Sequence, residues 1–372
     1  MNEFLESSIR PGDSRAELLQ ETALIVWDEA PMANKAVFAC VDSTLHTVMD
    51  SDEPFGGKVI VLLGDFRQTC PVVRRGRKAD VLDASIRTSP LWSLFRIWHL
   101  TIPVRNAYDG PFQQFVDDIG NGLTPSVSLS TFQTVSTSSQ LIDFVFPIDV
   151  LRSPSLCRSR SILAPTNQQI DDYNSAVLCR VEGIQHTYLA ADSIKEIENV
   201  DLPCPRSLLD YVSKQTPPGL PSYHLTVKVG AIYRLLRNLS LSRGMVKNTR
   251  VIVTQLGQRL LTVRKMTSYH SNDVDEGDDV LLPRISFSTI LPSTNHTFLR
   301  KQFPIAPAYA TTFNSCQGLT LDCIGLDLSR PVFTHGQLYT AFSRVRQRDH
   351  SCIRIQPSQT STVNVVFKEL LL

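Results

Sequence analysis

The chain has 372 residues, with 37 Lys+Arg against 36 Asp+Glu, a net charge of +1, 42% hydrophobic and 20% charged residues. That balance excludes a disordered chain and a globally basic nucleic-acid coat, so any nucleic-acid contact must come from local basic patches. The length suits about two to three domains. Eight cysteines (Cys40, Cys70, Cys157, Cys179, Cys204, Cys316, Cys323 and Cys352) are scattered, with no Cys-x-x-Cys and no zinc-like pairing with His. A structural zinc is therefore not expected, and a reducing compartment is. Apolar runs are strand-length, too short for a membrane span, and Met1-Asn2-Glu3-Phe4 does not open a signal peptide.

In chain order, residues 1–23 are polar, and Asp13 and Ser14 are placed to cap a brief helix over 15–21. Leu24-Ile25-Val26-Trp27 reads as a strand buried on both faces; Asp28 and Glu29 follow, and Pro31 stops further pairing. Ligands of open parallel sheets bind beyond the carboxyl ends of strands. An Asp there can hold the Mg²⁺ of a nucleotide, and the next Glu can orient and deprotonate water. The plainer reading is a strand that meets acidic turn residues. Residues 35–49 read as a helix with Val37, Val41, Leu45 and Val48 on one face. Pro54-Phe55-Gly56-Gly57 turns into a second apolar strand, 59–63, which ends in Gly64-Asp65 and then Gln68, an amide able to sense a terminal phosphate. Strand, helix, strand is the unit of a parallel α/β sheet. Gly56-Gly57-Lys58 is a turn and not a phosphate loop, because Val59 and a strand follow it.

Residues 90–96 read as a short helix and 97–102 as a strand, with Arg105 just beyond it, either aimed into a cleft or lying on the surface. Residues 107–111 suggest a domain boundary, 112–119 a helix, and the Ser/Thr-rich 124–140 a loop. Residues 161–167 read as a strand running into a helix cap, and the helix continues through Ile170, Tyr173 and Val177. The proline-bearing segment 201–222 reads as irregular. From 225 to 287 the pattern is strand-rich, with strands at 231–236, 250–253 and 259–263 and turns at Gly244, Gly257 and an acidic tip, 272–279; it suggests a small inserted β-barrel. Residues 323–328 read as a strand. Residues 335–346 read as a helix whose buried stripe is Leu338, Ala341, Phe342 and Val345, leaving Arg344 clear of it and able to face a cleft.

Seven motifs in series resemble those of the Pif-type DNA helicases: Trp-Asp-Glu-Ala-Pro-Met, Gly-Asp-Phe-Arg-Gln, Leu-Thr-x-x-x-Arg-Asn, Leu-Ala-Pro-Thr-Asn, Leu-Arg-Asn-Leu, Asn-Ser-Cys-Gln-Gly-Leu-Thr and His-Gly-Gln-Leu-Tyr-x-Ala-x-Ser-Arg-Val-Arg. They span residues from about 18 to 355, and their wording is nearest the branch carried by Helitron transposons. The resemblance implies superfamily-one, ATP-dependent enzymes moving 5′ to 3′ on single strands. It implies an α/β fold of two RecA-like P-loop NTPase domains: residues 1–108 as the C-terminal part of the first, and 109–372 as the second. A small SH3-like β-barrel would be inserted at about 225–300. By position, Asp28 and Glu29 correspond to the Mg²⁺-holding and water-activating pair, Gln68 to the γ-phosphate sensor, and Arg105 and Arg344 to arginine fingers. Gly318 falls in the nucleotide-binding set, and Asn314, Ser315, Gln317, Thr320 and His335 fall at the DNA. Mg²⁺ with ATP, single-stranded and forked duplex DNA, a monomeric state, no membrane and a nuclear setting in repair, recombination and telomere maintenance complete what the family implies.

The chain also departs from the pattern. A phosphate loop belongs before the Asp28 strand, and the 23 residues ahead of Leu24 are too few for a strand, loop and helix. A fragment without the backbone N–H cradle and lysine is the expectation. Ser315 stands where the family has a lysine, and Leu319 where it usually has a glutamine, which weakens phosphate contact. Three readings follow: a helicase engine without its phosphate loop, a non-catalytic single-strand binder, or an unstable remnant with an uncovered sheet edge.

Overall fold

A computed structural model describes residues 5–73, 76–195, 219–266, 278–291 and 296–372. Most of the expected acidic tip, 272–279, and most of the irregular 201–222 segment lie outside the described residues. Two compact units emerge: residues 1–134, 313–320 and 327–372 form one, and 135–312 with 321–326 form the other.

The first unit opens with helix α1 (Ser14–Glu21), strand β1 (Leu24–Trp27), helix α2 (Lys35–Met49) and strand β2 (Val59–Leu62). β1 and β2 pair in parallel, Leu24 opposite Val59 through Trp27 opposite Leu62. Helix α2 starts where the Asn34 side chain accepts a hydrogen bond from the Ala36 N–H, and ends at Asp50 in the left-handed region. Its buried residues are Phe38, Leu45 and Val48, with Val41 partly covered. The expected Val37 is 37% exposed, because the apolar stripe runs through Phe38, one position on. Phe38 packs on Trp27, Phe55 and Phe95, with ring centroids 5.9, 5.4 and 5.9 Å away.

This core covers one face of the β1–β2 pair, through Ile25, Trp27, Ile60 and Leu62. On the other face Leu24, Val26, Val59 and Val61 are 49%, 53%, 60% and 38% exposed. The expectation of strands buried on both faces is therefore corrected, since the described residues lay nothing over that side. The Gly56 turn is as read. A Cβ at Gly56 would fall 2.6 Å from the Leu45 carbonyl oxygen. Lys58 donates to the carbonyl oxygens of Gln20 (2.7 Å) and Thr22 (2.8 Å) at the end of α1, a structural task. The expected strand at 97–102 is not formed. Leu100 is 98% and Ile102 84% exposed, so this alternating run has no partner ladder among the described residues.

Helices α3 (Lys78–Ala84) and α4 (Gly110–Gly120) follow. The segment expected to be a loop is partly ordered. Strand Ser126–Ser128 pairs antiparallel with Ser361–Val363, and Val127, Leu129 and Phe132 are buried. The helix expected over 335–346 is shorter, Gln337–Phe342, entered from Gly336 at φ 70°. Phe342 meets Phe115 of α4 and Phe132 at 5.3 and 5.2 Å.

In the second unit, strand Arg160–Ala164 lies between the parallel strands Ala310–Thr312 and Cys323–Asp327. Thr166 caps helix Asn167–Arg180, whose buried face includes Ile170, Tyr173 and Val177 as read. The Asn174 side chain accepts from the N–H groups of Tyr309 and Ala310, both at 2.9 Å. The β-rich region has a five-stranded sheet containing Ile232–Leu235, Arg250–Leu256 and Leu260–Lys265. Strands Gln185–Leu189 and Ala191–Lys195, upstream of the expected start, join its other sheets. Among the described residues no helix is long and apolar enough to cross a membrane.

Candidate functional site

The site is built inside the first unit, from the carboxyl ends of β1 and β2. The ladder runs past both strands: Leu63 N–H donates to the Trp27 carbonyl (2.8 Å) and Ala30 N–H to the Leu63 carbonyl (2.9 Å). That places Asp28-Glu29 beside Leu63-Gly64-Asp65. The approach is too tight for a side chain at residue 64, since a Cβ there would sit 2.2 Å from Pro31 Cδ. Glu29 takes a left-handed conformation, φ 51° and ψ 36°, which costs a non-glycine residue about 1 kcal/mol. Its N–H donates to Asp28 Oδ1 at 2.9 Å.

Burial raises the Glu29 carboxyl above its ordinary value, and the charges of Asp28 and Asp65 add to this; Arg344 and Arg105 pull it back down. The Glu29 carboxyl, its two acidic neighbours and two arginines thus share one electrostatic environment. Burial, then the Arg344 charge, lowers Arg105. Arg105 donates to the Ser343 carbonyl at 2.7 Å and to the Thr320 hydroxyl at 3.1 Å.

Arg344 departs from the reading in one respect: it is 2% exposed, not clear of the buried stripe. It donates to the Thr340 carbonyl (2.9 Å), the Ser343 hydroxyl (2.7 Å) and the Leu319 carbonyl (3.4 Å). The helix stops at Phe342, so helical periodicity no longer decides where residue 344 points.

Gln68 is wired to the 314–320 loop. Its Oε1 accepts from Gln317 Nε2 at 3.3 Å, while Gln317 Oε1 accepts from the Thr69 hydroxyl at 2.7 Å. Thr69 N–H donates to the Thr340 hydroxyl at 3.2 Å. Within the loop, Asn314 Oδ1 accepts from Gln337 Nε2 at 3.0 Å. Cys316 is buried; its thiol donates to the Phe313 carbonyl, and burial pushes its pKa up to about 12. Ser315, Gly318 and Thr320 form the exposed part of the loop.

The assignment of His335 to a DNA contact is corrected by its surroundings. His335 is fully buried. Its Nε2 is 2.8 Å from the Phe66 carbonyl, which fixes it as the donor, and Nδ1 accepts from the Phe367 N–H at 2.8 Å. Both ring nitrogens are committed, so none is left for a phosphate, and the residue pins the 66–68 turn to the C-terminal segment. Sequence reasoning also passed over Asp65, Arg67, Asp117 and Tyr339, which meet beside Gln68. Three of them stand in quoted motifs, Asp65 and Arg67 in Gly-Asp-Phe-Arg-Gln and Tyr339 in the motif that opens His-Gly-Gln-Leu-Tyr, and that placement was the available signal.

Among the described residues no cluster of three or more His, Cys, Asp or Glu side chains is arranged to hold a metal ion. A nucleotide-borne Mg²⁺ needs only one or two protein carboxylates beside phosphate and water, and the exposed Asp28 fits that part.

Parallel strands ending in an acidic pair, a glutamine turn and two arginines define an α/β protein of the RecA-like class. The fold matches a solved structure of two coordinating Pif1 helicases at forked duplex DNA (TM-score 0.66, 24% identity, 99% of this chain and 75% of that one). It also matches Bacteroides Pif1 in complex with ADP-AlF3 and ssDNA (TM-score 0.65, 23% identity, 99% and 76%).

The chain is similar to the Pif1-type helicases. Residues 1–128 match the family described as PIF1-like helicase, and 211–256 match the DNA helicase Pif1 2B domain. It is 27% identical over 332 residues to the human ATP-dependent DNA helicase PIF1, covering 87% of this chain and 44% of the relative. With the Xenopus laevis enzyme it shares 27% over 358 residues, 93% and 48% of the two chains. The chain thus spans about half the length of the curated relatives it matches.

Proposed function

We propose that this chain carries most of the motor of an ATP-dependent, 5′-to-3′ DNA helicase of the Pif1 type, acting on single-stranded and forked DNA. In this reading residues 1–108 are the end of a first RecA-like domain and 109–372 a second, with the β-rich insertion at about 225–300. The observation that carries it is the shared environment of Glu29, Arg105 and Arg344, with Gln68 hydrogen-bonded to Gln317 of the 314–320 loop.

Glu29, its carboxyl raised toward neutrality, takes the proton of the attacking water. Asp28 would hold Mg²⁺, which supplies charge neutralisation at the phosphates. Gln68 senses the terminal phosphate. Arg105 and Arg344 stabilise charge as it develops, each such group being worth about 10³ or more in rate; Arg344 must first leave its carbonyl partners. Asn314, Ser315, Gln317 and Thr320 meet DNA, and Gly318 lies on the nucleotide side of that loop. The wider setting is nuclear work in DNA repair, recombination and telomere maintenance, by a protein of Helitron-related ancestry.

These 372 residues contain no Gly-x-x-x-x-Gly-Lys-Ser/Thr, so the chain tested alone has no DNA-stimulated ATPase. Phosphate release with oligo(dT) and Mg·ATP checks this. Turnover that disappears in Glu29→Gln overturns the claim that the phosphate loop is essential, while upholding the role of Glu29. A second reading, a single-strand binder without turnover, is favoured by the internal commitments of Arg344. Salt-dependent oligo(dT) binding that ignores nucleotide supports that reading.

A further inference from the structure

The turn that carries Gln68 is held by four side chains for which the proposed chemistry has no use. Asp65 is at their centre. Its Oδ2 accepts from the Tyr339 hydroxyl at 2.6 Å, and its Oδ1 accepts from Arg67 Nε at 3.0 Å. A second Arg67 nitrogen reaches Asp65 Oδ2 at 3.2 Å, and a third reaches Asp117 of α4 at 2.9 Å. The guanidinium also lies over the Tyr339 ring, 4.7 Å from its centroid, the geometry of a cation–π contact. One arginine therefore joins three pieces of chain: the 64–69 turn, α4 and the helix Gln337–Phe342.

Packing around the cluster leaves no slack. A Cβ on Gly120 would fall 2.7 Å from the Tyr339 ring and 3.0 Å from Arg67 Cδ, and one on Gly336 would fall 2.5 Å from the Arg67 carbonyl oxygen. Burial, and then the Asp65 charge, hold the Tyr339 phenol well above its ordinary value, so it remains a donor. Arginine is the residue suited to this task, because its planar fork satisfies two carboxylates at once where a lysine makes a single point contact.

We propose that Arg67 and Tyr339 are positioning residues. Through Asp65 and Asp117 they lock the Gln68 turn to the helix that precedes Arg344, so that what binds at the 314–320 loop is felt at Gln68. The inference rests on the reading above for the identity of the two ends it connects. Its cause lies in the cluster itself: the loop meets the turn only through neutral contacts of Gln317, with Gln68 at 3.3 Å and with the Thr69 hydroxyl at 2.7 Å, too weak to move the turn unless the turn and helix already behave as one body.

Amide hydrogen exchange on the full chain tests this, in the wild type, in Arg67→Ala, and in Tyr339→Phe, which keeps the ring and loses only the hydroxyl. Without DNA, either variant speeds exchange in 64–69 and in 337–344 together, by about tenfold, for the loss of charge-assisted bonds. With oligo(dT), the wild type slows exchange in both 314–320 and 64–69, and the variants slow only in 314–320. A structural role alone would not remove that DNA-dependent response. Faster exchange in one stretch only, or DNA-dependent slowing of 64–69 that persists in both variants, overturns the proposal. If oligo(dT) slows nothing in the wild type, the DNA reading fails, and the lock is judged on the DNA-free arm: joint loosening upholds it, and loosening of one stretch overturns it.

Discussion

Two strands that look alike in the sequence are treated differently by the fold. Leu24-Ile25-Val26-Trp27 and Ser161-Ile162-Leu163-Ala164 are both short apolar runs that end in polar residues. In the second unit, Ile162, Leu163 and Ala164 are all fully buried between two parallel neighbours. In the first unit, β1 alternates, with Ile25 and Trp27 packed and Leu24 and Val26 about half exposed. An apolar run states that a strand tolerates cover on both faces; whether cover arrives depends on what the rest of the chain brings. The sharpest break of this comparison is a matched pair of truncations. Leu163→Ala leaves a cavity in a closed core and costs about 2–5 kcal/mol. Val26→Ala trims a side chain already about half in water and stays within about 0.5 kcal/mol. Urea unfolding followed by circular dichroism reads both, and comparable costs would mean that the outer face of β1 is covered after all.

The same contrast between closed and open surroundings separates two glycines of the site. Gly64 lies against Pro31, with no room for a Cβ, whereas Gly318 has φ +73° and nothing within 4 Å of the place a Cβ would occupy. Gly64→Ala must push the Asp28-Glu29 turn away from the β2 end, at a cost of about 1–3 kcal/mol. Gly318→Ala meets only the backbone penalty of a left-handed residue, about 1 kcal/mol. Thermal melts rank the two, and equal shifts would remove the close approach as the reason for a glycine at 64.

Much of this was legible because local chemistry marked it. The acidic pair after β1, the Gly64-Asp65 turn, the Thr166 cap and the Ile170/Tyr173/Val177 stripe all follow from spacing and capping alone. Most failures share a cause, a dependence on a partner distant in sequence; Arg344 fails for a local reason. Residues 97–102 alternate like a strand and find no ladder. Ser126–Ser128 reads as loop by composition and becomes a strand because Ser361–Val363 lies alongside it. Arg344 was placed by helical period, and the helix ended before it. The Asp65–Arg67–Asp117–Tyr339 cluster draws on three separate stretches of chain, and nothing in the spacing of one stretch announces the other two.

Two of the perturbed groups of the first unit, His335 and Glu29, respond to burial in contrasting ways. Burial lowers the His335 pKa, opposed by the Phe66 carbonyl and the charges of Asp65 and Glu369, while burial raises that of Glu29. The signs are opposite. The fold favours neutral imidazole, so the stability His335 contributes is fully present above its unfolded value of about 6.5 and is lost as pH falls through that value toward the lowered folded one. The fold also favours protonated Glu29, so ionised Glu29 opposes folding as pH rises above the ordinary carboxyl range. Protonating His335 turns Nδ1 from an acceptor into a donor facing the Phe367 N–H, 2.8 Å away, which should free the C-terminal segment first. The expected slope is below about 1.4 kcal/mol per pH unit, the limit for one proton. Stability measured from pH 8 to pH 5 should therefore fall in the wild type and flatten in His335→Gln, whatever that variant costs at pH 8. An unchanged slope in His335→Gln would assign the acid sensitivity to other groups and leave His335 as a packing residue only.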